Sequence, residues 1–386
     1  MELVLLFRSN KIKNVLLLLL SLTGLSLIPP VIHGTYDFSI VKTFINQFIY
    51  LIGILAFYPF LIINKKNPLQ ILINIFYLQS SIQILSFLSP KVRVFLNVFR
   101  DDYAISKGQL EYGNIRGLAI SNTAFFGLGV AYGIIIILML SNWNSLKPKS
   151  NVLKIFLFLG LLFGSFSAAR SSSVSILIFA FVKILWTIKN KNELKLKVGT
   201  RKLKYKHIYM YLTFPLIIIL SQIMLSKLIR NEGISNSIST FKKFAFQLYY
   251  NYNNYGKLST SSTDKLFKEM YFPLEIKTMV LGDGRYTGVD GKYYMYTDAG
   301  IMRNILYGGF LMIIVLLVYQ LAMFSWERKE LRVQNISIVI FLITVHFKGE
   351  VLGFLIISQM IIFYLLIKDI YREKKHGINK CYYDSL

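Results

Sequence analysis

The chain has 386 residues, of which 54% are apolar or aromatic and only 16% are charged, and its mean hydropathy is +0.52. Soluble domains carry about 25% charged residues, so this composition excludes a disordered chain, a disulfide scaffold and a secreted soluble enzyme. The net charge of +25 would suit nucleic acid on a soluble protein, but no nucleic-acid motif is present and the basic residues flank apolar stretches. We therefore expect a membrane protein with no nucleic-acid partner.

Ten stretches are apolar enough to predict transmembrane helices, which need roughly 20 residues. They lie at about 14–32, 43–63, 69–89, 117–140, 152–169, 172–188, 209–227, 304–325, 334–347 and 350–367. The ninth is short. The first resembles a signal peptide but lacks a small-residue cleavage site, so we expect it to be retained. The sequence thus predicts an all-α polytopic membrane protein with about ten helices.

Basic residues indicate the orientation. With a cytoplasmic N-terminus, the predicted inner loops hold most of the lysines and arginines beside the spans, so both termini are expected to be cytoplasmic. Two predicted outer segments exceed ordinary connections, and the longer one is expected to be functional. The predicted organisation is helices one to seven over 1–227 with an outer loop at 90–116, a large outer loop at 228–303, helices eight to ten over 304–368, and a tail at 369–386.

Two arginines lie at the predicted outer face. Arg170 follows a run of serine and alanine between the fifth and sixth spans, and Arg116 opens the fourth. Each either anchors to lipid headgroups or binds an anionic group, because guanidinium binds phosphate bidentately. Asn122 and Thr123, about two turns deeper, either bond to neighbouring helices or belong to a site.

The end of the large loop concentrates charged residues. Arg285 lies in a turn bounded by Gly282 and Gly284, which is either a plain solvated turn or a shaped part of a site. Asp298 either caps the eighth span or acts as an acid or base, and Arg303 follows about one turn later.

The ninth and tenth spans meet at a polar hairpin with His346, Lys348 and Glu350. It is either a polar turn or a source of catalytic and positioning groups, because His and Glu are common proton carriers. In the large loop, Tyr249, Tyr250 and Tyr252 alternate with amides and suit either the membrane interface or contact with sugar rings. Histidine or cysteine ligands at metal-binding spacing are absent from the sequence.

Taken together, these segments resemble the bacterial O-antigen polymerase (Wzy) family, within the O-antigen polymerase and ligase superfamily. Arg116-Gly117-Leu118 with Ser121-Asn122 is similar to the family's Arg-x-x-Gly…Asn motif, although the glycine here follows the arginine directly. Asn122-Thr123 stands where the family commonly has Asn-Pro. Ser167 to Ser171 is similar to the Ser-Arg hairpin, Leu281 to Gly309 to the end of the large outer loop, and Lys348-Gly349-Glu350 to a polar position near the C-terminus.

The resemblance implies a metal-independent membrane glycosyltransferase of the lipid-sugar-using (GT-C) type, with no cofactor. It would transfer the growing glycan from undecaprenyl pyrophosphate to the next lipid-linked repeat unit at the outer face of the inner membrane. Its potential partners are a chain-length regulator and a flippase. The resemblance implies that the pyrophosphate is bound by Arg116, Arg170, Arg285, Arg303 and Lys348. It implies that either Asp298 or Glu350 accepts the proton. The glycan would be contacted by Tyr249, Tyr250, Tyr252 and Tyr286.

Two other functions stay open. An O-antigen ligase would tend to carry a loop histidine, and none occurs between His207 and His346. A flippase of lipid-linked oligosaccharide would usually have two similar halves and short outer loops, and the chain shows neither feature.

Overall fold

The computed structural model describes residues 9–63, 67–110, 115–121, 125–195, 244, 247–257 and 259–383. These residues form helices and connecting turns without a β-strand, apart from one isolated bridge between Thr287 and Tyr293. The all-α prediction is confirmed. The helices are α1 Asn10–Ile32, α2 Ser39–Ile63, α3 Pro68–Leu88, α4 Pro90–Asn97, α5 Asp102–Leu110, α6 Phe126–Ser141, α7 Asn151–Ala168, α8 Val174–Lys195, α9 Gln247–Tyr255, α10 Ser261–Lys265, α11 Ile276–Leu281, α12 Gly300–Ala322, α13 Lys329–His346 and α14 Ile356–Tyr383.

Among the residues that the structure describes, six helical segments are long and apolar enough to cross a membrane, which is the pattern of a polytopic membrane protein. They are Asn10–Ile32, Ser39–Leu61, Pro68–Leu88, Asn151–Ala168, Arg170–Asn190 and Gly300–Ala322. α6 is also apolar but has only 16 residues. The predicted seventh span, 209–227, lies outside the described residues, as do Asn122 and Thr123.

Two helices begin later than the predicted spans. α6 starts at Phe126 instead of near residue 117, because the Arg100 side chain donates hydrogen bonds to the carbonyls of Leu118 and Ala119 and thereby fixes a non-helical segment. α14 starts at Ile356 instead of near residue 350. A turn with Gly353 at a φ of +75° precedes it, a backbone geometry that glycine adopts readily.

The chain divides into two compact units. The first comprises residues 1–74, 261–328 and 342–386, and the second comprises residues 75–260 and 329–341. In the first unit, α2 packs against α1 and α14, and α12 packs against α1 and α11; in the second, α6 packs against α7 and α8.

Buried polar side chains link the helices of the first unit. The Tyr307 hydroxyl on α12 donates to the Ser26 carbonyl on α1 at 2.6 Å. Gln359 on α14 donates to the Tyr319 hydroxyl at 2.8 Å, and Tyr319 in turn donates to Gln47 on α2. Such bonds hold helices together in lipid, where buried polar groups need protein partners.

In the second unit, α6 is the central helix. Every residue from 128 to 140 is buried, because glycines let neighbouring groups approach closely. A Cβ on Gly129 would lie 2.5 Å from the Ala169 Cβ, and one on Gly133 would lie 2.1 Å from the Phe341 ring. The Tyr132 hydroxyl donates to Gln83 of α3 at 2.6 Å.

Candidate functional site

Arg303 is a buried cation of the first unit that is held from several sides. It lies on the first turn of α12 and is 5% exposed. Its Nη1 is 3.1 Å from Glu350 Oε2. The guanidinium carbon lies 3.7 Å from the centre of the Tyr286 ring and 3.8 Å from that of Tyr293. Two cation–π contacts and one ion pair therefore fix the plane of the guanidinium.

The remaining edge of Arg303 has no acceptor among the described residues. Nε and Nη2 meet no hydrogen-bond partner within the part of the chain that the structure describes. These two N–H groups are adjacent and parallel, the fork that binds two oxygens of a phosphate or carboxylate side-on. A buried guanidinium without an acceptor is costly, so this edge is suited to an anionic group supplied by a ligand.

Glu350 is held in place by a chain of buried groups. Val351 donates its backbone N–H to His346 Nδ1 at 3.1 Å, so that nitrogen carries no proton and Nε2 carries it. His346 Nε2 then donates to Asn304 Oδ1 at 2.9 Å, and Asn304 Nδ2 donates to Glu350 Oε1 at 2.7 Å. Glu350 thus accepts a hydrogen bond at Oε1 from Asn304 and forms its ion pair with Arg303 through Oε2, which favours a role in positioning Arg303 over proton transfer.

Gly300 allows Arg303 and Glu350 to meet. It opens α12, and a Cβ there would lie 2.6 Å from the His346 carbonyl oxygen and 2.7 Å from that of Gly349. Without a side chain, the first turn of α12 packs directly on the turn after α13. The polar hairpin predicted at 346–350 is therefore part of the same cluster as Arg303.

Asp298 lies just before α12. The residue at the N-cap position is Ala299, without a side-chain cap bond, so the N-cap interpretation of Asp298 is wrong. Asp298 stays accessible to solvent, yet the protein around it removes enough water to raise the pKa of its carboxyl above 3.8, an effect that Lys348, Lys265 and Arg303 partly offset. A raised pKa makes the carboxylate a stronger proton acceptor than an unshifted aspartate.

The Gly282–Gly284 turn and the Gly308-Gly309 pair form one structural feature. α12 is broken at Gly308 and Gly309, where φ is −141° and +69°. The break leaves the Leu306 and Tyr307 carbonyls without helical donors, and Asp283 N and Gly284 N donate to them at 2.6 and 3.1 Å. The loop therefore satisfies backbone groups that the broken helix leaves open.

Asp37 fixes the part of the loop that follows the Gly282–Gly284 turn. Its Oδ2 accepts the backbone N–H groups of Tyr286 and Thr287 at 2.7 and 2.6 Å. This holds Tyr286 under the Arg303 guanidinium, where its ring also stacks on Phe354 at 6.0 Å. Arg285, next to it, is exposed.

Arg116 and Arg170 belong to the second unit and share one aromatic neighbour. Their guanidinium carbons lie 5.4 and 4.6 Å from the centre of the Phe244 ring. Arg116 donates from Nε and Nη2 to the Ala168 carbonyl at the end of α7, at 3.0 and 2.7 Å. Arg170 donates to the Phe244 carbonyl at 3.0 Å and to Gln247 Oε1 at 2.6 Å.

The predicted site residues thus divide between the units. Arg285, Tyr286, Asp298, Arg303, Lys348 and Glu350 belong to the first, and Arg116, Arg170, Tyr249, Tyr250 and Tyr252 belong to the second. α9 carries the three tyrosines, of which Tyr249 and Tyr252 are 64% and 54% exposed.

The sequence does not single out Asp37 or Asn304, and it indicates His346 only as one member of the polar hairpin. Asn304 and His346 could have been found as polar residues within apolar helices, which are costly in lipid and therefore mark buried networks. Asp37 carries no such signal, because it precedes α2 in a short polar turn.

Within the described ranges, no group of three histidine, cysteine, aspartate or glutamate side chains is placed to hold a metal ion. No protein-family model, curated protein or solved structure matches the chain.

Proposed function

We propose that the chain is a polysaccharide polymerase of the O-antigen polymerase (Wzy) type, with about ten spans and the architecture of lipid-sugar-using (GT-C) glycosyltransferases. It would lie in the bacterial inner membrane with both termini in the cytoplasm. Its reaction would extend a glycan at the outer face. Undecaprenyl-pyrophosphate-linked oligosaccharide would serve as donor and as acceptor.

The observation that carries this proposal is the state of Arg303. Its guanidinium is fixed by Glu350 and two tyrosine rings, while its Nε and Nη2 edge has no acceptor among the described residues. A preorganised cation lowers the barrier most when charge develops on the group it faces. The departing pyrophosphate of a lipid-linked sugar is such a group.

Asp298 supports the proton transfer that the proposed reaction requires. A hydroxyl oxygen of the acceptor sugar would form the new bond to the anomeric carbon, and the bond from that carbon to the pyrophosphate oxygen would break. Asp298 would take the hydroxyl proton, and undecaprenyl pyrophosphate would leave with the electron pair. Arg116, Arg170, Arg285 and Lys348 stay predictions as further ligands of the pyrophosphate.

The surface glycan of a deletion strain tests the proposal. On a gel beside wild type and a complemented strain, we expect the ladder to collapse to core plus one repeat unit, because export and attachment persist. Polymer that accumulates on its lipid carrier at the outer side would instead indicate a ligase, and single units held inside would indicate a flippase. An unchanged ladder would contradict all three functions.

A further inference from the structure

The short helix α4 lies where the chain leaves a membrane-spanning helix. The span α3 ends at Leu88, and α4 begins at Pro90 after a single intervening residue, Ser89. The Ser89 side chain caps α4 by accepting the Val92 N–H at 3.4 Å. Two residues of chain extend at most about 7 Å, so α4 begins at the edge of the membrane.

Two arginines show that α4 turns back across the end of α3. Arg93 Nε donates to the Ser86 carbonyl at 3.0 Å, and Arg100 Nη2 donates to the Ser86 hydroxyl at 2.8 Å. Ser86 lies in the last turn of α3. If the chain continued as one straight helix, Arg100 would lie about 21 Å from Ser86, far beyond the reach of its side chain. α4 therefore stays close to the end of the span.

The polar side of α4 faces the protein. Arg93, Asn97 and Arg100, which lies in the turn after α4, follow the i, i+4, i+7 spacing of one helix face. Arg100 is buried and donates to Asn97 Oδ1 at 2.8 Å and to the carbonyls of Leu118 and Ala119. The bonds to residues outside α4 fix the rotation of this helix about its own axis.

The opposite side of α4 is apolar and exposed. Val94 and Phe95 lie on the helix, and Val98 and Phe99 lie one turn later, in the turn that continues it. Their exposed fractions range from 57% to 81%, and the Phe95 and Phe99 rings meet edge to face with centroids 6.0 Å apart. A helix on a water-facing surface places its apolar side inward and its charges outward. α4 shows the reverse arrangement, which suits apolar surroundings.

We infer that α4 is an interfacial helix, whose apolar side enters the bilayer leaflet in which α3 ends. The groups that cover Val94, Phe95, Val98 and Phe99 are the acyl chains of phospholipid. Helices of this kind insert their apolar side about 5–10 Å into the boundary between headgroups and acyl chains. The position of α4 at the end of a span selects lipid over water or a protein partner, because hydrocarbon is already present at that level.

An interfacial α4 binds the beginning of the predicted outer loop, 90–116, to the membrane surface. Arg100 connects this helix to the carbonyls of Leu118 and Ala119, in the segment that contains Arg116. The bilayer would thus hold that segment at a fixed depth through α4.

The test uses spin labels on the purified full chain in nanodiscs of palmitoyl-oleoyl phosphatidylcholine. Cys381, the single cysteine, is first replaced by serine, and nitroxides are then attached to Val94→Cys and Val98→Cys in separate variants. Electron paramagnetic resonance measures how often each label collides with oxygen, which concentrates in hydrocarbon, and with a neutral nickel chelate, which stays in water. Both labels should collide preferentially with oxygen, at a depth of about 5–10 Å below the phosphates.

Two reference labels define the limits of this measurement. Leu78→Cys labels an exposed apolar position within the span α3 and should be more protected from the nickel chelate than either α4 label. Asp290→Cys labels an exposed loop position and should collide mainly with the chelate.

The labels at Val94 and Val98 report independently, so either one decides if the other variant does not fold. Collision with the nickel chelate at the level of the Asp290 label would place α4 in water and overturn the inference. Protection from both reagents would show that protein covers this side, as a second copy or another segment of the chain, and would overturn it too. None of these outcomes bears on the polymerase proposal, which rests on Arg303.

Discussion

At the scale of single residues, Arg303 and Glu350 depend on each other. The Glu350 side chain is 5% exposed and that of Arg303 is 6% exposed, so neither charge has water to replace its partner. Asn304 donates to the Glu350 oxygen that does not face Arg303, and His346 in turn holds Asn304. The guanidinium is therefore held in one orientation before any ligand arrives.

Replacing Glu350 should destabilise the protein strongly. Glu350→Gln keeps the shape of the side chain and an acceptor for Asn304 but leaves Arg303 as an uncompensated buried charge. Breaking such a pair costs about 3–5 kcal/mol. The free energy of unfolding, measured by dodecyl sulfate titration in mixed micelles with circular dichroism as the signal, should fall by that amount.

Glu327→Gln is the matched control for this substitution. The Glu327 side chain is 82% exposed and lies 4.0 Å from Lys11, and exposed ion pairs contribute about 0–1 kcal/mol. If both variants unfold with the same free energy, Glu350 does not compensate a buried charge.

The raised pKa of the Asp298 carboxyl predicts how the rate of glycan extension depends on pH. Partial burial raises the pKa of its carboxyl, so the carboxylate form, which accepts the proton, becomes populated only as the pH rises through that raised value. The rate of glycan extension should therefore increase with pH on the acidic side. In Asp298→Asn the residual rate should lose this acidic limb. An acidic limb of unchanged position in the variant would remove Asp298 as the proton acceptor.

At the scale of helices, the break in α12 determines the shape of the site. The Gly282–Gly284 turn donates backbone hydrogen bonds to the carbonyls of Leu306 and Tyr307, which the helix break at Gly308 and Gly309 leaves without helical donors. The same turn leads directly to Tyr286, whose backbone Asp37 holds. The helix break thus positions the ring that supports Arg303.

Alanine at Gly309 should disrupt this arrangement. Its φ is +69°, and a Cβ there would lie 2.2 Å from the Val280 carbonyl oxygen on α11. The backbone conformation alone costs a non-glycine residue about 1–3 kcal/mol, and the overlap adds to it. The free energy of unfolding of Gly309→Ala should fall by at least that amount.

Gly53→Ala provides the comparison. Gly53 lies inside α2, and a Cβ there meets nothing within 4 Å. Alanine in a helix interior is favoured over glycine by about 0.5–1 kcal/mol, so this variant should be as stable as wild type or more so. If the two substitutions change the free energy of unfolding equally, the conformation at Gly309 does not contribute to the stability of the protein.

The helices show which features a sequence can reveal. Long apolar runs predicted α1, α2, α3, α7 and α12 within a few residues, because burial in lipid demands them. The apolar pattern predicts too early a start for α6, because Arg100 fixes the segment before that helix through contacts between residues distant in sequence. Arg303 and Glu350 were selected singly, but their pairing, 47 positions apart, depends on how α12 packs at Gly300.

At the scale of the whole molecule, the first unit contains the candidate active site around Arg303. The second unit contains Arg116 and Arg170 together with the exposed tyrosines of α9. Predicted cationic residues thus occur in both units. Arg303 is held by two aromatic rings and a carboxylate of the first unit, and Arg116 and Arg170 are held by an aromatic ring and by carbonyl oxygens of the second.

The most direct test is glycan extension by the purified protein. Undecaprenyl-pyrophosphate-linked repeat units are supplied with a chelator present, and polymer length and released undecaprenyl pyrophosphate are measured. The wild type should form polymer and release the lipid pyrophosphate in step. Arg303→Lys keeps the charge but loses the fork, so its rate should fall about 10- to 100-fold, in line with the loss of one charge-assisted pair. Arg372→Lys, at an exposed arginine of α14, should extend glycan at the wild-type rate. Absence of polymer with the wild type, or full activity of Arg303→Lys, would contradict the account.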